Sequence, residues 1–132
     1  MIKRMEIGGN RYVTLDTEKH NGNIFDSVEA WKAEGERRFG PNLNNWKYKC
    51  PMCGHVASVQ DFKDLGVEDP ANTAYEECIG RYTGKGTPQK GNSSGCNWAA
   101  YGLLGIPKGG TYIFTGPEKG AHIFEFADED NQ

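Results

Sequence analysis

Two cysteines separated by two residues, in the stretch KCPMCGH at 49–55, constrain this chain more than any other feature. Proline follows the first cysteine and glycine the second, so the turn has one fixed φ angle and one residue that tolerates positive φ. Such a turn directs both sulfur atoms to one point. Only two further cysteines occur in the chain, and four thiolates suit a structural zinc ion. The sequence therefore predicts one structural zinc ion per chain, bound by Cys50, Cys53, Cys78 and Cys96.

Two other interpretations of the cysteines stay open. His55 directly follows the turn and could replace one cysteine as a ligand. Alternatively, Cys78 and Cys96 are small buried apolar residues and the turn at Cys50 is a redox dithiol. A redox dithiol normally precedes a helix, whereas a strand is predicted after this turn. Zinc is favoured because the sequence shows no signal peptide or membrane span, which predicts a soluble, cytoplasmic protein in a reducing compartment.

Length and composition predict one small domain. The 132 residues fit a single domain, and an apolar content of 36% with 18 glycines leaves a modest core and much backbone in turns. A bound metal would supplement such a core. The predicted fold is α+β, a small zinc-ribbon-like single domain over residues 1–126 with β-hairpins and two or three short helices. A disordered acidic tail is predicted at 127–132.

Local patterns place the elements of this domain. A β-hairpin is predicted at 1–16, where turn residues separate two stretches rich in strand formers. A helix is predicted at 27–39, because a capping motif precedes apolar residues at helical spacing. A cysteine-containing zinc core covers 46–101, and a second β-hairpin covers 111–126, with its strands at 111–114 and 122–126.

Within the zinc core, one short strand leads into the cysteine turn and another leaves it. Ser58 is expected to cap a short helix at 59–65. A further helix is predicted from Pro70 to about Ile79, with Cys78 near its end. The stretch from 83 to 95 is rich in glycine, serine and lysine and is predicted to be a mobile loop.

Charges are segregated along the chain, although the formal net charge is only -3. No acidic residue occurs at 37–60 or 78–117, whereas 61–77 carries six acids and one lysine. Part of this bias would offset the negative charge of a zinc ion with four thiolates. The remainder predicts a partner-binding surface formed by Arg37, Arg38, Lys47, Arg81, Lys85 and Lys90.

Two kinds of partner fit these cations. One is a host or phage protein. The other is nucleic acid, with four aromatic residues expected to be available for stacking on bases: Trp46, Tyr48, Tyr82 and Trp98. The sequence pI of about 5.6 is low for a nucleic-acid-binding module, which favours the protein partner.

No catalytic motif is complete in this sequence. The stretch from Gly86 to Ser93 approaches a phosphate-binding loop, but Asn92 stands where that loop requires lysine. A zinc deaminase needs a histidine and glutamate pair, and His20 is followed by Asn-Gly instead. A catalytic zinc keeps one position open for water, whereas four cysteines fill all positions. His122 is expected to be solvated or satisfied, and no enzyme is predicted.

Four stretches of the chain together resemble a known family: WKAEGERRFG, WKYKCPMCGHVASVQDFKDLGV, AYEECIGRYTG and GCNWAAYGLLGIP. They are similar to small, uncharacterised zinc-ribbon-like proteins found mainly in bacteriophage and prophage genomes, over roughly Trp31 to Pro107. The resemblance implies zinc at the four cysteines, a phage or mobile-element origin and the cytoplasm of an infected or lysogenic bacterium. It implies no enzymatic activity.

The function predicted from these observations is non-enzymatic. The chain is expected to bind a host or phage protein through the surface around residues 83–95, and inhibition of that protein is one form that the binding could take. Nucleic-acid binding by a zinc-ribbon module is the alternative prediction. Thiol redox chemistry is the second alternative.

Overall fold

Eight strands, three α-helices and two 3-10 helices occur in the part of the chain that the computed structural model describes, residues 2–7, 11–16, 23–100 and 110–127. In chain order they are β1 (Ile2–Glu6), β2 (Tyr12–Asp16), β3 (Ile24–Phe25), α1 (Val28–Phe39), the 3-10 helix Leu43–Asn45, β4 (Lys47–Lys49), β5 (Val56–Ser58), α2 (Val59–Asp64), α3 (Pro70–Thr73), the 3-10 helix Ile79–Tyr82, β6 (Thr111–Gly116), β7 (Lys119–Ile123) and β8 (Glu125–Phe126). The strands form a five-stranded sheet of order β2-β1-β7-β6-β3 and a three-stranded sheet of order β5-β4-β8. The predicted α+β class is confirmed.

The amino-terminal hairpin is confirmed. β1 and β2 pair antiparallel, from Ile2 opposite Asp16 to Glu6 opposite Tyr12. The hairpin joins the rest of the sheet where Glu6 pairs in parallel with Lys119 of β7. The Met5 side chain fills the space beside Gly120, where a Cβ atom would overlap its sulfur and terminal methyl groups.

The second hairpin is present, but its second strand divides in two. β6 and β7 pair antiparallel from Thr111 opposite Ile123 to Gly116 opposite Lys119. The chain then leaves this sheet, and β8 pairs with β4 of the other sheet. The prediction of one strand at 122–126 is wrong because Ile123 and Phe124 are both buried. Consecutive residues of one regular strand point to opposite faces, so burying both requires the chain to change sheets here.

The helix α1 matches its prediction closely. The Ser27 hydroxyl accepts a hydrogen bond from the Ala30 N–H and so caps the first turn. Gly40, with a φ of 86°, ends the helix. The α2 prediction is also close, since Ser58 and Asp61 form a capping box in which each side chain accepts from the backbone N–H of the other.

The predicted helix from Pro70 to about Ile79 is wrong beyond its first turn, since α3 ends at Thr73. The residues that follow use their backbone groups in tertiary hydrogen bonds instead. The Tyr75 carbonyl accepts from the Phe124 N–H, and the Glu76 carbonyl accepts from the Ala100 N–H. These carbonyls are directed at other segments of the chain rather than at the next helical turn, and the chain is not α-helical where it approaches Cys78.

Aromatic rings connect the two sheets in one core. Trp31 stacks on Phe126 with ring centroids 5.4 Å apart and meets Trp46 edge-on at 5.8 Å. Tyr48 stacks on the same Phe126 at 5.6 Å. Trp46 and Tyr48 are only 3% and 4% exposed. The prediction that these two rings are available for stacking on bases is therefore wrong.

The first residue of the predicted disordered tail, Ala127, is ordered. Ala127 is buried, and its N–H donates to the Lys47 carbonyl. Residues 128–132 lie outside the described residues. Within the described residues, no helix has the length and apolar character that crossing a lipid bilayer requires.

Replacing Gly35 tests the packing of α1 on the core. A Cβ atom at this position would overlap the six-membered ring of Trp46. We expect Gly35→Ala to lower the free energy of unfolding by about 1 to 3 kcal/mol, because the overlap outweighs the gain of about 1 kcal/mol in helix propensity. Urea unfolding followed by tryptophan fluorescence measures this change. Gly116→Ala is the matched control, because nothing lies within 4 Å of its added Cβ, and an equal loss in both variants would contradict the packing explanation.

Candidate metal centre

Four cysteine sulfur atoms meet between the cysteine turn and two later segments of the chain. The Sγ atoms of Cys50, Cys53, Cys78 and Cys96 all lie within 4.8 Å of one another. The distance from Cys50 to Cys96 is 3.8 Å, and that from Cys53 to Cys78 is 3.7 Å. No disulfide joins them. The structure thus brings the four predicted ligands together around one point.

These distances fit a tetrahedral ion bound by four sulfurs. Metal–sulfur bonds of about 2.3 Å give a tetrahedron with edges of about 3.8 Å, which the two shorter sulfur distances match. A disulfide would bring two sulfurs to about 2.05 Å. The arrangement therefore has the donor type, number and spacing that a metal ion of this class requires.

The first two sulfurs are positioned by the cysteine turn itself. The Gly54 N–H donates to the Cys50 carbonyl at 2.9 Å, and the Cys50 N–H donates to the His55 carbonyl at 3.0 Å. Gly54 has a φ of 80°, which confirms the expected role of this glycine. The strands β4 and β5 extend from the two sides of the turn and pair from Lys49 opposite Val56.

The other two sulfurs are positioned by a short antiparallel bridge. Glu77 pairs with Ala99, and the Cys78 N–H donates to the Trp98 carbonyl at 3.0 Å. Cys78 therefore precedes the 3-10 helix Ile79–Tyr82 and does not lie at a helix end as predicted. Gly80 in that helix packs directly on the backbone of Cys96, where a Cβ atom would overlap the Cys96 nitrogen and oxygen.

Backbone N–H groups are directed at three of the sulfur atoms. The donors are Met52 and Cys53 to Cys50, Gly80 and Cys96 to Cys78, and Trp98 to Cys96. Such donors stabilise the negative charge of thiolates. The sequence predicted N–H donors for the cysteine turn. The donors to Cys78 and Cys96 depend on how two segments that are distant in sequence meet.

The sulfur atoms differ in their acidity. The neighbouring Cys50 thiol, together with backbone N–H donors, lowers the pKa of Cys78 to about 5, against the effect of burial. The proximity of Cys78, together with burial, raises the pKa of Cys50, and burial raises the pKa of Cys96 to about 12. A cation that binds here must displace protons from the other thiols, so its affinity falls as the pH falls.

The centre is closed by the protein around it. Cys50 and Cys78 are 2% exposed and Cys96 is fully buried, whereas Cys53 is partly exposed. His55 lies next to the turn, but the four sulfurs form the cluster without it. Its Nδ1 lies 2.9 Å from the Ser93 carbonyl oxygen, which can only accept, so Nδ1 carries the proton and donates.

The loop at 83–95 contains no helix or strand, as predicted, but hydrogen bonds hold it at several points. The Lys85 N–H donates to the Gly80 carbonyl, and the Asn97 N–H donates to the Gly86 carbonyl, both at 2.9 Å. His55 holds the loop again at Ser93. The sequence predicted a mobile loop because contacts such as that between His55 and Ser93 join residues that are distant in sequence.

The six predicted partner-binding cations lie in different surroundings. Arg37 and Arg38 both pair with Glu34, at 2.7 and 2.6 Å. Lys47 lines a cleft together with Arg38. Arg81, beside the cysteine cluster, pairs with Glu77 and donates to the Asn97 carbonyl. Lys85 and Lys90 are exposed on the loop.

His122 and Tyr82 both make contacts with other side chains. His122 stacks on Tyr112 with ring centroids 3.9 Å apart, and His20 lies outside the described residues. Tyr82 is 42% exposed and its hydroxyl donates to Glu77.

A protein-family model described as VVA0879-like matches residues 27–127. The match contains all four cysteines and omits β1, β2 and β3. It also contains the stretch from Trp31 to Pro107 on which the resemblance to phage proteins rests, although its description names neither phage nor zinc. No curated protein and no solved structure matches the chain.

Replacing Gly80 tests the positioning of the second cysteine pair. We expect Gly80→Ala to weaken metal retention by at least about tenfold, because the new methyl group would push the Cys96 backbone away from the other sulfurs. Competition with a coloured chelator measures this loss. Gly86→Ala is the control, since its Cβ would enter open space. Equal retention in both variants would show that Gly80 does not position Cys96.

Proposed function

The chain belongs to the VVA0879-like family. We propose that it is a zinc-binding phage or mobile-element accessory protein that acts by binding another protein. Its zinc ion is structural and is held by Cys50, Cys53, Cys78 and Cys96. The protein partner belongs to the host or the phage, and the complex forms in the bacterial cytoplasm.

The observation that carries the proposal is the cluster of four sulfur atoms within 4.8 Å of one another, with two of the distances matching the edge of a zinc–thiolate tetrahedron. Thiolate ligands select zinc, copper(I) or iron over the harder cations. Zinc is proposed because it fits four thiolates without redox chemistry. When bound, it supplies a rigid link among its four ligands.

A structural role follows from where the ligands lie in the chain. Cys50 and Cys96 are 46 residues apart, and Cys78 lies between them on a segment with little regular secondary structure. Closing such loops costs conformational entropy, which the binding of the ion offsets. Because all four coordination positions are filled by sulfur, no position remains for water or a substrate, which supports a non-enzymatic role.

A protein partner is favoured by the charges and by the buried aromatic rings. The formal net charge of -3 opposes binding to nucleic acid, and Trp46 and Tyr48 are in the core. The phage assignment is supported by the resemblance of residues 31–107 to small phage and prophage proteins. The loop at 83–95, which carries Lys85 and Lys90 beside the metal centre, is one surface available to the partner.

Removal of the metal tests the structural role of zinc. We expect native mass spectrometry of the protein, purified without added metal, to show one zinc ion per chain. A strong chelator should remove the ion and abolish the near-UV and far-UV circular dichroism of the folded state, because the ligand segments then lose their link. A metal-free chain that keeps its circular dichroism would contradict the proposal and favour a redox role for the cysteines.

Single substitutions distinguish the cysteine ligands from the neighbouring His55. Cys96→Ser should lose zinc and lower the melting temperature strongly, because a hydroxyl is a poor zinc ligand. His55→Ala is the control and should retain one zinc, since the His55 side chain bonds to Ser93. Loss of zinc from His55→Ala with retention in Cys96→Ser would instead make the histidine a ligand.

The salt dependence of binding distinguishes the two kinds of partner. We expect fluorescently labelled single-stranded and double-stranded DNA and RNA to bind weakly or not at all at physiological salt. Affinity for nucleic acid that falls steeply with rising salt would contradict the protein-binding proposal, because that slope reports counterions released from phosphates.

A further inference from the structure

The four cysteines of the metal centre are not equally enclosed by the protein. Cys50 and Cys78 are 2% exposed and Cys96 is fully buried, and backbone N–H groups donate to the sulfur atoms of all three. Cys53 is only partly buried. Burial keeps a dissolved reagent away from a thiolate, and hydrogen bonds to a thiolate stabilise it and lower its reactivity. A reagent in solution therefore reaches the centre first at Cys53.

The residues on either side of Cys53 leave this edge of the centre accessible. Met52, directly before it, is 39% exposed. Gly54, directly after it, has no side chain, and a Cβ atom built at this position would meet nothing within 4 Å beyond its chain neighbours. The cysteine turn thus faces solvent where it carries Cys53.

A second cysteine lies directly beside Cys53. The Sγ atom of Cys78, a residue 25 positions later in the chain, lies 3.7 Å from the Cys53 Sγ. A disulfide has a sulfur–sulfur distance of about 2.05 Å, so a relative shift of under about 2 Å joins the two sulfurs. The pair therefore combines an accessible thiolate with a second thiolate close enough to react with a disulfide formed on the first.

We propose that Cys53 is the site at which a low-molecular-weight disulfide modifies the metal centre, and that Cys78 completes the exchange. The inference rests on the proposed function and concerns the regulation of its zinc site. The Cys53 thiolate attacks one sulfur of the disulfide R–S–S–R, forms a mixed disulfide and releases R–S⁻. The Cys78 thiolate then attacks the Cys53 sulfur, forms a disulfide between the two cysteines and releases the second R–S⁻. The two cysteines together lose two electrons, and the reagent gains them.

This exchange removes two of the four metal ligands. Cys50 and Cys96 remain, and two thiolates do not complete the tetrahedral site that holds the ion. The new disulfide keeps the cysteine turn linked to the segment that carries Cys78, whereas Cys96 loses its link to both. Oxidation therefore differs from treatment with a chelator, which removes every link among the four segments at once.

The loop at 83–95, which the proposed function offers to the partner, depends on the residues next to the cysteines. Its hydrogen bonds reach positions one or two residues after three of the four ligands. They run from the Lys85 N–H to the Gly80 carbonyl, from the Asn97 N–H to the Gly86 carbonyl, and from the His55 Nδ1 to the Ser93 carbonyl. Cys96 directly follows the loop. Release of Cys96 therefore loosens the loop, and the modification lowers the affinity for a partner that binds there.

The experiment uses the full-length, zinc-loaded chain and glutathione disulfide. Samples taken over time are alkylated in denaturant, and peptide mass spectrometry locates the mixed disulfide and the disulfide within the protein. We expect the first mixed disulfide at Cys53, in at least about tenfold excess over each of the other three cysteines, which serve as internal controls. The disulfide between Cys53 and Cys78 should follow, with one zinc ion released per disulfide, as measured with a coloured zinc indicator.

Hydrogen exchange tests the effect of the modification on the loop. In the zinc-loaded chain, the amides of Lys85 and Asn97 are protected by the hydrogen bonds that they donate. Oxidation should raise their exchange rates by at least about tenfold, whereas the amides of β1 and β2, which contain no cysteine, should change by less than about twofold. Equal increases in both regions would mean that the chain unfolds as a whole, which overturns the control of the loop by the cysteines.

Three other results would overturn the proposal. One is the absence of any modification of the zinc-loaded chain. Another is modification of a different cysteine before Cys53. The third is a local disulfide between Cys50 and Cys53 in place of the one to Cys78. Native mass spectrometry before oxidation reports the zinc content, so a failure of the proposed function is recognised as a missing ion and is distinct from these three results.

Discussion

The convergence of four sulfur atoms at one point determines the course of the middle of this chain. The cysteine turn presents two sulfurs through local backbone geometry, whereas Cys78 and Cys96 arrive on segments that must bridge each other through Glu77 and Ala99. That bridge ends α3 after one turn and places the 3-10 helix Ile79–Tyr82 against the Cys96 backbone. Four thiolates at these distances would repel one another, so a cation at their centre would stabilise the arrangement. The backbone between Cys78 and Cys96 is largely irregular where it makes these contacts.

Much of the fold and of the site could be predicted where the signal is local. The Ser27 and Ser58 caps, the positive φ of Gly54 and the amino-terminal hairpin depend on a few neighbouring residues, and the structure contains each of them. The four cysteines could be proposed as one set because no other thiols exist in the chain.

The predictions that failed depend on tertiary contacts. The chain after Thr73 looks helical in sequence, but its carbonyl groups accept from Phe124 and Ala100, which are distant in sequence. The burial of Trp46 and Tyr48 likewise depends on Phe126.

The charged residues were the least informative part of the sequence, because a charged side chain can stabilise its own fold as readily as it can bind a partner. Arg81 contacts the two segments that carry Cys78 and Cys96, because it pairs with Glu77 and donates to the Asn97 carbonyl. Arg38 holds Ala127 and also lines a cleft. The basic stretches that look continuous in sequence therefore separate into groups with different surroundings. Only the folded chain shows which cations share one surface.

The passage of the chain from β7 to β8 has a mechanical consequence. At Phe124 the backbone leaves the sheet that carries the amino-terminal hairpin and enters the sheet that carries the cysteine turn, while the Phe124 N–H donates to Tyr75. A short covalent link of this kind allows little independent movement of the parts it joins. Opening one sheet pulls Phe126 away from Trp31 and so disturbs the packing of α1 and β4 as well. The two sheets are thus coupled into one cooperative unit, in which loss of order around the cysteines spreads to the core residues of β6 and β7.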